Sequence, residues 1–455
     1  MRLLYLILMS ILLALFLRVF LALARRDAIL TPILGWVLGL AFFLVTPLTF
    51  LSLNGGYQAP AFYEVDSRHA NVSLTAVESL PPFLIIWTSL LFSFLTVLVF
   101  LPKPDQRWKR REIILNDSSL KRIILVTVCL AVVDYVATIY MAGGLDQFLL
   151  LNWYLRVEDW ITTLGQRYVL YVWLTQANQA VLTAAAVLFT HSQARKGAVN
   201  WRFSIFLIVV FLFHTAFHGE RIFLALYLIS LLTSCWLYGR KRVVITLLVA
   251  APALAVVFSA WASFRGAPTD IAKNLPRYME ADLGNRAMTV MIDACDGSDT
   301  VLLFHIIRDF GSKYGLLYGT SYARALTFLV PRSIYPERAK GFNIQLAEKY
   351  EPGGTTSLAA TQLGELYANF GLLSVLLLPG LTVAIMIGSN LLVGRIHNHV
   401  LISAVAFVLL IWSARSTLED NFITFLLAAF LIRILRLERN LCSMGEGLMP
   451  SLAAA

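Results

Sequence analysis

Apolar runs of about 20 residues, each closed by a short polar turn, recur along almost the whole chain. A run of that length crosses the hydrocarbon core of a bilayer. It must do so as a helix, because each backbone amide has to find its partner within the segment. Eleven runs are legible, near residues 3–22, 29–52, 83–102, 123–142, 168–191, 203–218, 222–239, 243–263, 371–394, 400–414 and 421–437. The one long interruption is residues 264–370, mostly polar, between the eighth and ninth runs. The pattern predicts an all-α, polytopic integral membrane protein. Eight transmembrane helices occupy 1–263, a large extramembrane loop with short helices 264–370, three more spans 371–440, and a tail 441–455. The tail after Asn440 is expected to be disordered and without a catalytic role.

Composition agrees, with 58% hydrophobic residues, 14% charged and a mean hydropathy of +0.73. The net charge of +10 is unevenly distributed. Alternate loops, together with the tail, carry 19 Lys/Arg against 6 Asp/Glu, whereas the opposite set carries 17 against 20. The positive-inside rule then places the N-terminus outside and the C-terminus in the cytosol. The basic balance is a topological signal, so nucleic acid is not an expected partner. The first run shows no small-residue cleavage site before Arg25 and Arg26 and is expected to be a retained span.

The four cysteines are scattered, and only Cys295 falls in an external loop, which leaves no disulfide framework there. No metal-ligand spacing, phosphate-binding glycine loop or large cytosolic segment is present. The chemistry is expected on the outer face, without ATP, a sugar nucleotide or another cofactor.

Residues 264–370 hold eleven basic and eleven acidic residues, a poor composition for a lipid-headgroup skirt and a suitable one for gripping anions. Other external arginines surround this loop. Arg156 and Arg167 lie in and at the end of the aromatic segment 143–167, Arg221 ends the tight turn His218–Gly219–Glu220–Arg221, Arg265 opens the loop, and Arg415 begins R-S-T-L-E-D-N. Such charges at the membrane boundary are costly unless they are paired, anchor at the interface or line a wet cavity. Within the loop, Pro331 and Pro336 bracket Arg332 in an extended, stiff segment. Downstream, residues 353–371 pass from a Gly-Gly-Thr-Thr turn into a helix carrying Glu365, Tyr367 and Asn369. Guanidinium groups suit phosphate because their charge is permanent and their planar fork bonds two oxygens together.

The combination of many spans, one long external loop, H-G-E-R at 218–221, P-R-S-I-Y-P at 331–336, G-E-L-Y-A-N-F-G at 364–371 and R-S-T-L-E at 415–419 resembles the Wzy-type oligosaccharide repeat-unit polymerases. These are related to the O-antigen ligases and share a GT-C-like membrane fold. The resemblance covers most of the chain in layout, and its sequence support is confined to those motifs. It implies a metal-independent glycosyltransferase of O-antigen or other lipopolysaccharide synthesis, at the periplasmic face of a bacterial inner membrane. The growing glycan, on undecaprenyl pyrophosphate, is transferred to a sugar hydroxyl of the incoming lipid-linked repeat unit, and lipid pyrophosphate leaves. The partners implied are that lipid-linked oligosaccharide, the bilayer and a chain-length co-polymerase.

On this resemblance Arg221, Arg332 and Arg415 bind the pyrophosphate and stabilise the charge growing on it, with Arg167 and Arg265 in support. Glu419 is the favoured base for the acceptor hydroxyl. It stands four residues after Arg415 and would share a helical face with it if the helix continues outward. Glu365 and His218 are alternative bases, and Tyr367 and Asn369 complete the substrate-binding set. Two acidic groups bear on the metal question. Glu64-Val65-Asp66 has the acidic-x-acidic form of metal-dependent GT-C enzymes. Asp293, Asp296 and Asp299 recur every third residue and are expected to be a solvated helix or turn rather than a calcium site. The competing functions are an O-antigen ligase, which differs in its acceptor, and a lipid-linked oligosaccharide flippase. Against the flippase, no internal repeat is visible and intramembrane polar groups are few: Asp134, His214 and the Gln176, Asn178, Gln179 cluster. Asp134 is expected to make a helix-packing hydrogen bond.

Overall fold

Gly35 and Gly39, four residues apart in a wholly apolar helix, set a close helix crossing. A Cβ on either would stand 2.2 Å from the Phe407 carbonyl oxygen or 2.5 Å from that of Ile411, so only hydrogen lets the two backbones approach. The computed structural model describes residues 1–24, 31–57, 71–101, 113–145, 166–197, 200–218, 222–250, 298–327, 335, 341–350, 360–393, 396–438 and 441–444. Its membrane-type helices are α1 (Arg2–Ala24), α2 (Pro32–Leu40), α3 (Thr46–Asn54), α4 (Leu80–Phe100), α5 (Asp117–Met141), α6 (Gln166–Lys196), α7 (Trp201–His218), α8 (Ile222–Leu237) and α9 over 241–250. The helices α10 (Ser298–Asp309), α11 (Thr320–Thr327), α12 (Phe342–Tyr350) and α13 (Gln362–Phe370) follow, then α14 (Ser374–Val393), α15 (Ile396–Ser413) and α16 (Leu418–Ile434). Four short strands complete the described chain: β1 (Gly56–Tyr57), β2 (Val72–Ser73), β3 (Ile113–Leu115) and β4 (Cys442–Met444).

Five helical stretches are long and apolar enough to cross a membrane: Arg2–Leu23, Pro32–Asn54, Val77–Phe100, Asp117–Met141 and Gln362–Leu392. Four shorter apolar helices, Trp201–His214, Phe223–Trp236, His399–Ser413 and Asn421–Ile434, accompany them. Outward-facing Leu3, Val99, Val133, Leu376 and Phe430 are largely exposed. In water such faces would aggregate, whereas in a bilayer they are the lipid contact. The protein is thus a mostly helical membrane protein.

Two helices form the centre. α2 is buried along its whole length and packs on α14 and α15. α6 is buried from Ala177 to Phe189 and packs against α5, α8, α15 and α16. Polar groups stitch these helices together. Thr175 donates to Asp134 Oδ2 at 2.9 Å, as expected of a packing bond, and Asn178 Nδ2 donates to the Thr127 carbonyl at 3.0 Å. His214 bonds the Tyr135 hydroxyl, and Thr424 donates to Gln176 at 3.4 Å.

Contacts between loops follow the two-sided charge pattern. Lys196 pairs with Asp117 at 2.7 Å, and Arg240 donates to the Ala194 carbonyl at 2.9 Å. β3 pairs antiparallel with β4, Ile113 opposite Met444 and Leu115 opposite Cys442. Each contact joins two segments from the basic set of loops. The β3–β4 pairing corrects the expectation of a disordered tail for residues 442–444, whose backbone groups find partners across the pair.

α16 ends in a paired-bond turn, with Arg436 N–H on the Arg433 carbonyl at 3.2 Å and Leu437 N–H on the Ile432 carbonyl at 3.0 Å. The left-handed residue of such a turn is usually glycine. Here it is Arg436, at φ +50°, at a cost of about 1–2 kcal/mol. Just beyond, Glu438 Oε1 accepts from the Leu401 and Ile402 amides at 3.1 and 3.2 Å. It thereby caps α15 after its break at His399, where φ is −140°.

Candidate functional site

The candidate site begins with a proline inside a membrane helix. Pro47 has no N–H for the carbonyl four residues before it, that of Phe43. The helix widens there into a π-helical segment, Ala41–Val45, between α2 and α3. The Thr300 hydroxyl donates to the Phe43 carbonyl at 2.9 Å, fixing the start of α10 against the membrane helix. The preceding residue, Asp299, accepts from Arg415 Nε at 2.8 Å. Proline, π-segment, Thr300, Asp299 and Arg415 form one continuous mechanical path.

Arg415 lies in the turn between α15 and α16, its amide on the Trp412 carbonyl at 2.9 Å. Its side chain is 25% exposed and that of Asp299 11%. The guanidinium is therefore held at its Nε edge and is partly exposed. A charge-assisted pair in this setting orients the arginine more than it stabilises the fold.

α13 brings the second motif to the same place. The Gln362 amide donates to the Ala414 carbonyl at 3.2 Å, one residue before Arg415. Gly364 faces α10, and a Cβ on it would stand 3.2 Å from Ile306 and 3.4 Å from Leu303. Thr361 caps the helix by accepting from the Gly364 amide at 3.2 Å.

Glu365 and Asn369 lie on one face of α13 and are committed to holding the loop. Glu365 is 1% exposed, and its Oε1 accepts from Ser321 Oγ at 2.7 Å. Asn369 Nδ2 donates to Ser321 Oγ and to the Glu365 carbonyl, each at 2.8 Å, while its Oδ1 accepts from the Gly319 amide at 2.9 Å. The backbone of Leu317 and Tyr318 joins the same helix end at 2.9 and 3.1 Å. Beside them, Tyr322 stacks on Phe370 and accepts from Gln362 Nε2 at 3.0 Å. Burial and then the negative charge of Glu365 raise the Tyr322 pKa, so this hydroxyl stays protonated. Tyr367 is buried in the same helix.

The far end of α10 makes a second polar cluster. Arg308 donates to His305 Nδ1 at 2.9 Å and to Asp309 Oδ1 at 2.8 Å, and the latter bond raises the arginine pKa. His305 Nε2 bonds the Asn71 carbonyl at 3.1 Å. These partners assign His305 as the neutral tautomer with its proton on Nε2.

The structure thus joins the start of α13, the helix that carries Glu365, Tyr367 and Asn369, to the turn of Arg415. Arg221, Arg265 and Arg332 lie outside the described residues, as do Arg156, Glu64, Asp66, Asp293 and Asp296. Arg167 falls in the first turn of α6 and His218 ends α7, while residues 219–221, the rest of the expected tight turn, lie outside the described residues. Glu419 lies in the first turn of α16, but not on a helix shared with Arg415. Thr417, at φ −70° and ψ 148°, interrupts the helix between them. Asp299 lies in the first turn of a helix, one of the two forms expected, but is buried and paired where solvation was expected. Among the described residues, no group of three or more His, Cys, Asp or Glu side chains comes together. Compared with known proteins, the chain matches no family model, no curated protein and no solved structure.

Proposed function

We propose that the protein is a bacterial inner-membrane glycosyltransferase that polymerises oligosaccharide repeat units carried on undecaprenyl pyrophosphate. The observation that carries this reading is the junction at Arg415. Two of the motifs behind the resemblance, separated by some fifty residues, are joined there by the Gln362–Ala414 backbone bond. The arginine at that junction is oriented by Asp299 and is 25% exposed. An anion-binding group fixed at the end of a membrane helix suits a substrate whose pyrophosphate lies at the membrane boundary and whose sugars lie beyond it.

In this proposal the chain has eleven spans in a GT-C-like arrangement, with the N-terminus outside and the junction on the periplasmic side. The acceptor sugar hydroxyl attacks the anomeric carbon of the donor, the bond to the pyrophosphate oxygen breaks, and the lipid pyrophosphate departs. Arg415, with Arg221 and Arg332, holds the pyrophosphate and neutralises the charge that develops on it. Arg167 and Arg265 supply outer contacts. A carboxylate takes the hydroxyl proton, and Glu419 is the proposed group. Glu365, buried and bonded, supports the loop.

The test is the length distribution of surface glycan in a strain lacking the gene, complemented with the wild type or with Arg415→Ala. The proposal expects the deletion to leave single repeat units on the lipid A core and the wild type to restore the ladder. Full-length polymer trapped on its lipid carrier would instead identify a ligase. Units trapped at the cytosolic face would identify a flippase.

A further inference from the structure

The end of α16 opposite Arg415 carries a cavity that the reaction does not use. It measures about 370 Å³ and is lined by Ile432, Arg433, Arg436 and Glu438. About 25 Å of helix separates it from Arg415, so it lies at the other membrane face.

Three observations give it a chemistry. First, Arg436 occupies the left-handed position of the helix-ending turn, where glycine is the relaxed choice. An arginine kept in strained backbone is a reason to look for work done by its guanidinium. Second, the cavity's positive charge is not cancelled. Among its described lining residues Glu438 is the one carboxylate, and that group is engaged by the Leu401 and Ile402 amides and by His399 at 3.5 Å. Burial pushes its pKa upward, against the amides and His399, which lower it. Neither Arg433 nor Arg436 has a side-chain hydrogen bond or ion pair among the described residues. Third, Phe430, Ile434 and Leu435 on the same helix end are exposed apolar side chains. Two free guanidinium groups beside a lipid-facing surface suit a phosphate attached to acyl chains better than a soluble ion.

We propose that this cavity binds the phosphate of an anionic phospholipid headgroup in the leaflet opposite Arg415. The inference stands independently of the glycosyltransferase reading. Arg433 and Arg436 clamp the phosphate oxygens, and Ile432 meets the glycerol end of the lipid. The Leu441 amide bonds the Glu438 carbonyl at 3.2 Å and ties the chain after α16 to this lining residue.

The experiment titrates the purified full-length protein in detergent with phosphatidylglycerol, phosphatidylcholine or inorganic phosphate, and counts bound molecules by native mass spectrometry. The key variant is Arg436→Gly, which relaxes the turn and should melt at or above the wild-type temperature. The expected result is saturable phosphatidylglycerol binding, weakened at least about tenfold in Arg436→Gly and further in Arg433→Gln/Arg436→Gly. Lys241→Gln/Arg242→Gln, which removes two exposed basic charges elsewhere, should bind like the wild type. Unchanged binding in Arg436→Gly overturns the proposal, as does an equal loss in the Lys241/Arg242 control. Binding of inorganic phosphate without phosphatidylglycerol overturns the lipid assignment.

Discussion

Arg415 and Asp299 make different contributions, and substitutions separate them. Arg415→Ala should abolish polymerisation. Arg415→Lys should retain a trace, since a lysine keeps the charge but loses the bidentate fork. Asp299→Asn should leave a folded protein, destabilised by about 1 kcal/mol, with activity reduced at least about tenfold because the guanidinium is no longer aimed. Steady-state rates on protein of verified melting temperature would check all three, and an Asp299→Asn variant of full activity would remove the positioning role. Glu365 gives the converse case. Its carboxylate accepts from Ser321 inside the protein, and glutamine preserves that acceptor. Glu365→Gln should therefore stay within about twofold of wild-type activity, whereas Glu365→Ala should lose about 1–3 kcal/mol of stability by stranding buried polar groups. A well-folded Glu365→Gln variant without activity would make Glu365 the base. At this scale the sequence was an uneven guide. Arginines at the ends of apolar runs stand out, but the partner of Arg415 did not. Asp299 lies 116 residues away in a polar stretch. The clue was the apolar run from Val301 to Ile307, broken only by His305, which marks a buried helix whose first turn carries that aspartate.

Among the elements, the crossing of α2 and α15 and the π-segment below Thr300 matter most for the site. Gly35→Val would force the helices apart at the Phe407 carbonyl and should cost at least about 2 kcal/mol. The measurement is thermal unfolding in detergent, and a wild-type midpoint would contradict the crossing. Thr300→Val removes the bond to Phe43 while keeping the side-chain shape. It should lower activity more than stability, since α10 remains packed on α13 through Leu303 and Ile306. Apolar periodicity announces most of these helices because a membrane span must be apolar along its whole length. The same uniformity hides which helices are central: α2 and α1 read alike in hydropathy, yet only α2 is buried throughout. Glycine spacing carries that distinction. The interruption at Thr417 was not legible either, since R-S-T-L-E is compatible with continuous helix until the backbone turns at Ala414–Thr417.

For the whole molecule, the charge pattern sorts the loops into two sets, and the contacts within the structure respect that sorting on both faces. Asp299 meets Arg415 and His305 meets Asn71 on one side, while Lys196 meets Asp117 and β3 meets β4 on the other. Tyr318 is 80% exposed beside the first side, and Lys241 is exposed on the second. A cysteine at Tyr318 should react with an impermeant maleimide in intact spheroplasts, and one at Lys241 only after permeabilisation. The reverse pattern would invert the topology and move the Arg415 junction to the cytosol. The central claim is tested most directly by reconstituting the purified protein in liposomes with lipid-linked repeat units extracted from the deletion strain, without nucleotide. The account predicts a ladder of lengthened glycans on the lipid carrier, released lipid pyrophosphate, and neither with Arg415→Ala. Repeat units that remain single with folded wild-type protein, or a ladder made equally well by Arg415→Ala, would contradict it.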